Sequence, residues 1–114
     1  MKWTVEILNK TAQKELNSLP KDLKAKFLHI SEMLEEFGPQ NVRKPFVKSI
    51  VLRKEKLWEM RMKGISGIAR SIYALVKDKR IIILHTFIKK TQKTPHRAIE
   101  LAVKRLKEVK NDQT

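Results

Sequence analysis

The most informative segment of the chain is IIILHTFIKKTQKTP, residues 81–95. Its first eight residues are mostly apolar and strand-forming, and three cations, Lys89, Lys90 and Lys93, follow them closely. A Thr-Pro pair then opens a helical pattern. We therefore expect a buried strand that delivers a fixed cationic cluster to the protein surface, where it would bind phosphate.

The length and composition limit the class of protein. At 114 residues the chain suits a single domain, residues 1–114, with one hydrophobic core. It has no cysteine, so disulfides, thiolate metal sites and a cysteine nucleophile are excluded. The first apolar residues are interrupted by Glu6 and Lys10, which is not the pattern of a signal peptide or a membrane span. We expect a cytoplasmic protein that does not bind membranes.

The net charge of +14 is unevenly distributed along the chain. Residues 1–37 carry six Lys/Arg and six Asp/Glu, whereas residues 38–114 carry twenty and six. Such a bias favours a polyanionic partner, because each neutralised phosphate releases counterions. Nucleic acid or a ribonucleoprotein is the expected partner.

The strands are predicted from alternating apolar residues. Residues 3–7 form a first strand, and residues 57–63 alternate with Trp58, Met60 and Met62 on one side. Turns at residues 64–67 and 78–79 then join this strand to two more in an antiparallel meander. Residues 39–56 are predicted to hold a short extended segment and a loop.

The helices are predicted from apolar residues spaced three and four apart. A short helix ends near Leu19-Pro20, and a longer one, capped by Asp22, stops at Gly38-Pro39. A C-terminal helix follows, with Thr94 as its cap and Pro95 in its first turn. The fold class is therefore α+β: a small antiparallel sheet of about four strands with an N-terminal helix hairpin and a C-terminal helix packed on it. We expect the helices over one sheet face and the other face partly open to a ligand.

Most familiar enzyme classes lack their motifs in this chain. The three histidines, His29, His85 and His96, lie on different elements without paired metal-ligand spacing. There is no GxSxG motif and no glycine-rich phosphate loop. We expect no metal and no cofactor, and we interpret His29 as a helix-surface residue.

Arginine and lysine remain as the candidate functional groups. Arg61 shares a strand face with Glu59, and Arg70 lies in an apolar strand, where an arginine is costly unless it is paired or faces water. Such cations suit RNA cleavage by the RNA's own 2′-hydroxyl, which needs an acid, a base and positive charge at the phosphorane. Crowding among the lysines would lower a lysine pKa, and His96 is the nearby group that titrates near neutrality.

A family resemblance rests on three motifs and a helix. LWEMR (residues 57–61), ARSIY (69–73), LHTFIKKTQKTP (84–95) and a C-terminal AIELAVKRL helix resemble the phage Gp49-like, HigB-type branch of the RelE/ParE toxin superfamily. The resemblance implies the toxin of a type II toxin–antitoxin system, a RelE-like endoribonuclease that cleaves mRNA in the ribosomal A site. It also implies a helix-turn-helix antitoxin that inhibits the toxin, with operator DNA bound only through the complex.

The resemblance also implies roles for individual residues. Arg61 and Arg70 match basic positions that contact the scissile phosphate, and Lys90 matches the basic residue that ends the last strand. His96 falls where RelE-type toxins have a tyrosine proposed as acid or base. Four more cations are expected to bind RNA: Lys63, Lys89, Lys93 and Arg97.

The chain departs from the RelE pattern at two places. Glu59 stands where RelE-like toxins have a lysine, and no tyrosine follows KKTQKTP. A RelE-type assignment of acid and base therefore does not transfer, and Glu59 is itself a candidate base. Two alternatives stay open: a ParE-like toxin that poisons DNA gyrase, and a non-catalytic basic protein that binds RNA or the ribosome.

Overall fold

The computed structural model describes residues 2–50, 52–90 and 93–112, with side chains through residue 109. Val51, in the predicted extended segment, and Thr91 and Gln92 of the KKTQKTP motif lie outside the described residues. The elements are β1 (Thr4–Ile7), α1 (Lys10–Asn17), α2 (Lys21–Phe37), a 3-10 turn (Pro39–Asn41), β2 (Val47–Ile50), β3 (Leu57–Gly64), β4 (Gly67–Val76), β5 (Arg80–Ile88) and α3 (His96–Asp112).

The described strands form one five-stranded sheet in the order β1-β5-β4-β3-β2. The predicted meander of β3, β4 and β5 is confirmed. The sheet is nevertheless mixed and not wholly antiparallel as expected, because β1 adds to β5 in parallel. The expected number of about four strands was low by one. The additional strand, β2, is only four residues long and pairs with β3 alone at the sheet edge. A strand this short, paired on one side only, shows too little alternation of apolar and polar residues to be predicted reliably from sequence.

The expectation that all helices cover one sheet face is wrong. Leu23 and Phe27 of α2 pack with Met60 and Tyr73 of the sheet. The apolar residues of α3 pack against the opposite face, with side chains such as Ile72. Consecutive residues of the central strands β4 and β5 are apolar, so apolar side chains point to both sheet faces. Helices must therefore bury both faces.

The face under α3 is only partly covered. On β3 this face begins with the buried Leu57 and continues through Glu59 and Arg61 to the exposed Lys63. Arg70 of β4 lies directly opposite Arg61. The apolar half of the face is therefore packed under α3, and its polar half remains accessible beside the start of that helix.

Two predicted helix caps differ from the structure. Pro20, and not Asp22, is the N-cap of α2. The Asp22 carboxylate instead accepts a 2.9 Å hydrogen bond from the Ser66 N–H in the β3–β4 turn, and this bond lowers the pKa of Asp22. A Cβ at Gly64 would collide with the Asp22 carboxylate, so a larger residue there would displace this side chain from its contact.

The start of α3 lies one residue later than predicted, at His96, and the Thr94 hydroxyl donates a hydrogen bond to Glu59. The predicted stop of α2 at Gly38 is confirmed, with a φ of 88° that favours glycine. No helix in the described ranges is both long and apolar enough to cross a membrane.

Candidate active site

Two arginines form the centre of the accessible half of the sheet. Arg61 on β3 and Arg70 on β4 are cross-strand neighbours. Like charges placed directly opposite each other destabilise a sheet, so this pairing opposes folding. An anion that binds between the two guanidinium groups would offset this repulsion, so the pair is suited to anion binding.

Arg70 is buried with incomplete hydrogen bonding. Only 4% of its surface is exposed, and its Nη1 donates to the carbonyl oxygen of Ala69 at 3.0 Å. Its Nε lies 3.7 Å from Glu59 Oε1 and has no hydrogen-bond partner among the described residues. Burial lowers the pKa of Arg70, and nearby Arg61 lowers it further, while Glu59 opposes the change. An arginine remains protonated under such conditions, so the site holds a desolvated cation with a spare donor.

Glu59 lies at the floor of the site, with 4% of its surface exposed. One carboxylate oxygen faces Arg70, and the other accepts the hydrogen bond from Thr94. Glu59 therefore connects β3 both to the Arg70 side chain and to the residue just before α3. With both oxygens engaged, its carboxylate holds neighbouring groups in place.

Lys89 extends the site from the end of β5. Its backbone N–H donates to the Ile68 carbonyl oxygen at 2.7 Å, which continues the sheet pairing beyond the strand. Burial lowers the pKa of Lys89, and the positive charges of Arg70, Arg61 and Lys48 lower it further against the opposing effect of Glu59. A lysine with a lowered pKa was expected from crowding among Lys89, Lys90 and Lys93. At Lys89 the pKa is lowered instead by burial and by Arg70, Arg61 and Lys48.

Arg61, Arg70 and Lys89 line a cavity of about 590 Å³, called the first cavity below. Its volume lies within the usual range for ligand pockets. Five of its lining residues are cations and none is an acid; the lining is Pro45, Arg61, Lys63, Ile68, Arg70, Lys89 and Lys90. A concave surface with this charge distribution is suited to a phosphate-bearing ligand.

The structure brings most of the predicted site residues together. Five of the predicted cations line the first cavity, while Glu59 and Lys93 line a neighbouring cavity. His96 and Arg97 are not among the described residues that line either cavity. Both are exposed in the first turn of α3, and His96 Nε2 lies 2.8 Å from Glu100 Oε1.

Lys48 and Thr94 are the members of the site that the sequence did not indicate as functional. Lys48 lies on β2 directly opposite Glu59, and its charge contributes to the lowered pKa of Lys89. The signal that would have identified it is the register of β2 with β3, which places Lys48 on the face of Glu59. Thr94 was interpreted as a helix cap, so its bond to Glu59 was not foreseen.

Comparisons with known proteins agree on one family. The family model described as "Phage derived protein Gp49-like (DUF891)" matches residues 14–107. The RelE chain of the archaeal RelE–RelB complex from Pyrococcus horikoshii OT3 is 32% identical, with a TM-score of 0.58. That match covers 77% of this chain and 96% of the archaeal chain.

A second solved structure shows the same fold at lower sequence identity. A double mutant of the E. coli toxin RelE in the free state is 16% identical, with a TM-score of 0.55 over 93% of this chain and 99% of that chain. This likeness concerns the fold alone. No curated protein matches the chain significantly.

Proposed function

This chain belongs to the phage-derived Gp49-like family and has the RelE fold, and from this premise we propose that it is the toxin of a type II toxin–antitoxin system. Its proposed activity is that of an endoribonuclease, an mRNA interferase that cleaves messenger RNA in the ribosomal A site and so inhibits translation. It acts in the cytoplasm, and the protein's own cations supply the charge that the reaction needs.

The observation that carries this proposal is the opposed pair of Arg61 and Arg70 in the first cavity. A protein that needs only a positively charged surface has no reason to bury one arginine against another. Preorganised positive charge in a partly desolvated site is what stabilises a phosphorane, whose equatorial oxygens gain charge in the transition state. In this proposal the scissile phosphate binds between these two guanidinium groups.

The reaction assigned to the site is attack of a ribose 2′-oxygen on the adjacent phosphorus. The bond from phosphorus to the 5′-oxygen breaks, which leaves a 2′,3′-cyclic phosphate and a free 5′-hydroxyl. The proton of the 2′-hydroxyl passes to a base, and the leaving 5′-oxygen takes a proton from an acid. We assign the role of acid to Lys89, which lines the first cavity beside Arg61 and Arg70 and whose pKa is lowered by burial and by these arginines.

The remaining predicted residues are given supporting roles. Lys63 and Lys90 line the same cavity and bind phosphates of the RNA. Glu59 positions Arg70, since both of its oxygens are engaged. A role in proton transfer for His96 stays a prediction, as does RNA binding by Arg97; both side chains lie outside the two cavities.

The proposed partner is a cognate antitoxin. The archaeal relative was solved as a complex with RelB. By the family resemblance, the partner of this chain is a helix-turn-helix protein that blocks the toxin and brings the pair to operator DNA. A small gene for such a protein beside this one, which reverses growth arrest on co-expression, is the expected observation.

The test is primer extension on mRNA from translating extracts. We expect cuts with the wild type and a loss of about 10²-fold or more in Arg70→Ala and Lys90→Ala. Lys26→Ala is the matched control. It also removes one positive charge, but Lys26 is an exposed residue of α2, which covers the other sheet face. Circular dichroism shows whether each variant is folded. Folded site variants that still cut would show that the site is misplaced.

The same experiment separates the alternatives. A gyrase poison of this fold would produce stabilised DNA breaks and no mRNA cuts. A non-catalytic RNA-binding protein would produce neither, and its expression without a partner would be harmless.

A further inference from the structure

A second cavity of about 360 Å³ adjoins the first one. The two cavities share Arg61 and Lys89, which therefore form the boundary between them. The remaining wall of the second cavity comes mainly from β2 and from the start of α3, neither of which lines the first cavity. A ligand longer than one phosphate group can thus pass across this boundary from one cavity to the next.

The chemistry of the second cavity differs from that of the first. Two further cations, Lys48 and Lys93, line it, together with two partly buried apolar side chains, Ile50 and Ile99. A surface that combines cations with an apolar wall is suited to a nucleotide, whose phosphate needs charge and whose base presents an apolar face. The first cavity is lined by five cations together with Pro45 and Ile68, whereas the second cavity also contains the buried carboxylate of Glu59.

The wall of the second cavity is held in place. The Thr94 hydroxyl bonds to the buried Glu59, which connects the residues before α3 to the centre of the sheet. On the other side, β2 is paired to β3 over four residues, with Lys48 opposite Glu59. A preformed wall of this kind lowers the entropic cost of ordering a ligand.

We propose that the second cavity is a nucleotide subsite, which binds the RNA nucleotide next to the scissile phosphate, with a phosphate on Lys48 and the nucleoside against Ile50 and Ile99. This inference rests on the proposed function for the identity of the RNA. The binding of a second nucleotide in a separate cavity does not itself require cleavage.

The experiment measures the affinity of the purified full chain for oligonucleotides that cannot be cleaved. The probes are 5′-phosphorylated 2′-deoxy oligonucleotides of one to four residues, titrated by calorimetry at several salt concentrations. We expect the wild type to gain roughly tenfold or more in affinity from one residue to two or three. Lys48→Ala should lose about tenfold for the longer probes and little for the mononucleotide.

The salt dependence gives a second measurement. Lys48→Ala should reduce the slope of log affinity against log salt by about 0.7 for the longer probes, the value for one lost contact to a single strand. Lys48→Arg keeps the charge and should keep both the affinity and the slope. Lys26→Ala, with the same charge loss on α2, should match the wild type for every probe.

Two outcomes would overturn the subsite. One is a wild type that gains no affinity with probe length. The other is a Lys48→Ala variant that loses equally for all probes, or no more than Lys26→Ala does. The result is independent of cleavage: a protein that cuts no mRNA yet shows the length dependence refutes the proposed function and keeps the subsite.

Discussion

Arg70 shows how a single residue can be costly for the fold and useful for the site. Only 4% of the Arg70 surface is exposed, Arg61 lies opposite on the next strand, and one carboxylate at 3.7 Å is its counterion. A buried ion pair seldom repays its full desolvation cost, and here one donor is also left without a hydrogen bond. A bound phosphate would supply the missing acceptor and the missing negative charge, so ligand binding should relieve a cost that the free protein carries.

The role of Glu59 is tested by Glu59→Gln, which keeps the shape of the side chain and removes its charge. We expect mRNA cleavage to fall by roughly 10- to 100-fold, because Arg70 loses its counterion and the Thr94 hydroxyl loses a charged acceptor. The measurement is the cleavage rate by primer extension as a function of pH. A positioning role leaves the shape of the pH profile unchanged.

Glu32→Gln is the matched control for this prediction, since Glu32 is exposed on α2 at the opposite face. Unchanged cleavage in Glu59→Gln would remove the residue from the mechanism. Loss of one limb of the pH profile would make Glu59 the proton acceptor and contradict a positioning role.

Among the elements, side chains of two helices, α1 and α3, supply hydrogen bonds to the backbone of the second half of β5, where no described strand pairs with that edge. β1 pairs with β5 only as far as Ile83. Beyond that point, Glu15 of α1 accepts a hydrogen bond from the Thr86 N–H at 3.2 Å, and Arg105 of α3 donates to the Leu84 carbonyl oxygen at 2.8 Å. Arg105 also donates to both oxygens of Glu15 at 2.9 Å. An ion pair thus takes the place of a neighbouring strand and connects α1, β5 and α3.

The stability of this connection should depend on pH. Burial alone would raise the pKa of Glu15, but hydrogen bonds from Arg105, His85 and the Thr86 N–H together lower it. Because the folded protein binds the proton less tightly than the unfolded chain, the stabilisation is present above the ordinary pKa of 4.5 and is lost as the pH falls through the folded value.

Glu15→Gln should therefore destabilise the protein by about 3 kcal/mol at neutral pH, the lower end for a broken buried pair, since the pair is partly exposed. Below pH 4.5 the difference from the wild type should shrink. Urea unfolding at a series of pH values measures both effects. A constant difference across the whole range would contradict the linkage, and Glu32→Gln again serves as the exposed control.

In the whole molecule, the neutral part and the basic part of the chain form different parts of the fold. The neutral first third of the chain forms β1, α1 and α2, and both helices lie away from the two cavities. The basic remainder forms the rest of the sheet and α3, and seven of its Lys and Arg side chains line the two cavities. Seven of the twenty Lys and Arg residues that follow residue 37 thus lie where the RNA is proposed to bind.

Binding of a short single-stranded RNA should accordingly depend strongly on salt. With seven cations at the cavities, the slope of log affinity against log salt should be negative and no steeper than about −5, at roughly 0.7 per contact. Fluorescence anisotropy with a labelled, uncleavable hexanucleotide measures it. A slope near zero would show that the charge does not bind RNA, and a much steeper one would place further contacts outside the cavities.

Most secondary-structure elements and most candidate functional residues could be predicted from local sequence patterns. Apolar periodicity located α2, α3 and the β3–β5 meander, because burial imposes a period of 3.6 or 2 on neighbouring residues. The cost of an arginine in an apolar strand indicated Arg70 as a functional candidate, and residues 81–95 indicated the lysine cluster at the end of β5.

Which of these residues contact one another could not be predicted without the three-dimensional fold. The face that α3 covers, the edge position of β2 with Lys48, and the contacts of Glu59 and Glu15 depend on pairs separated by tens of residues. Local patterns carry no information about such pairs, because strand order and helix placement follow from how the whole set of apolar surfaces is buried together. Lys48 therefore becomes part of the site through the fold and not through its sequence neighbours.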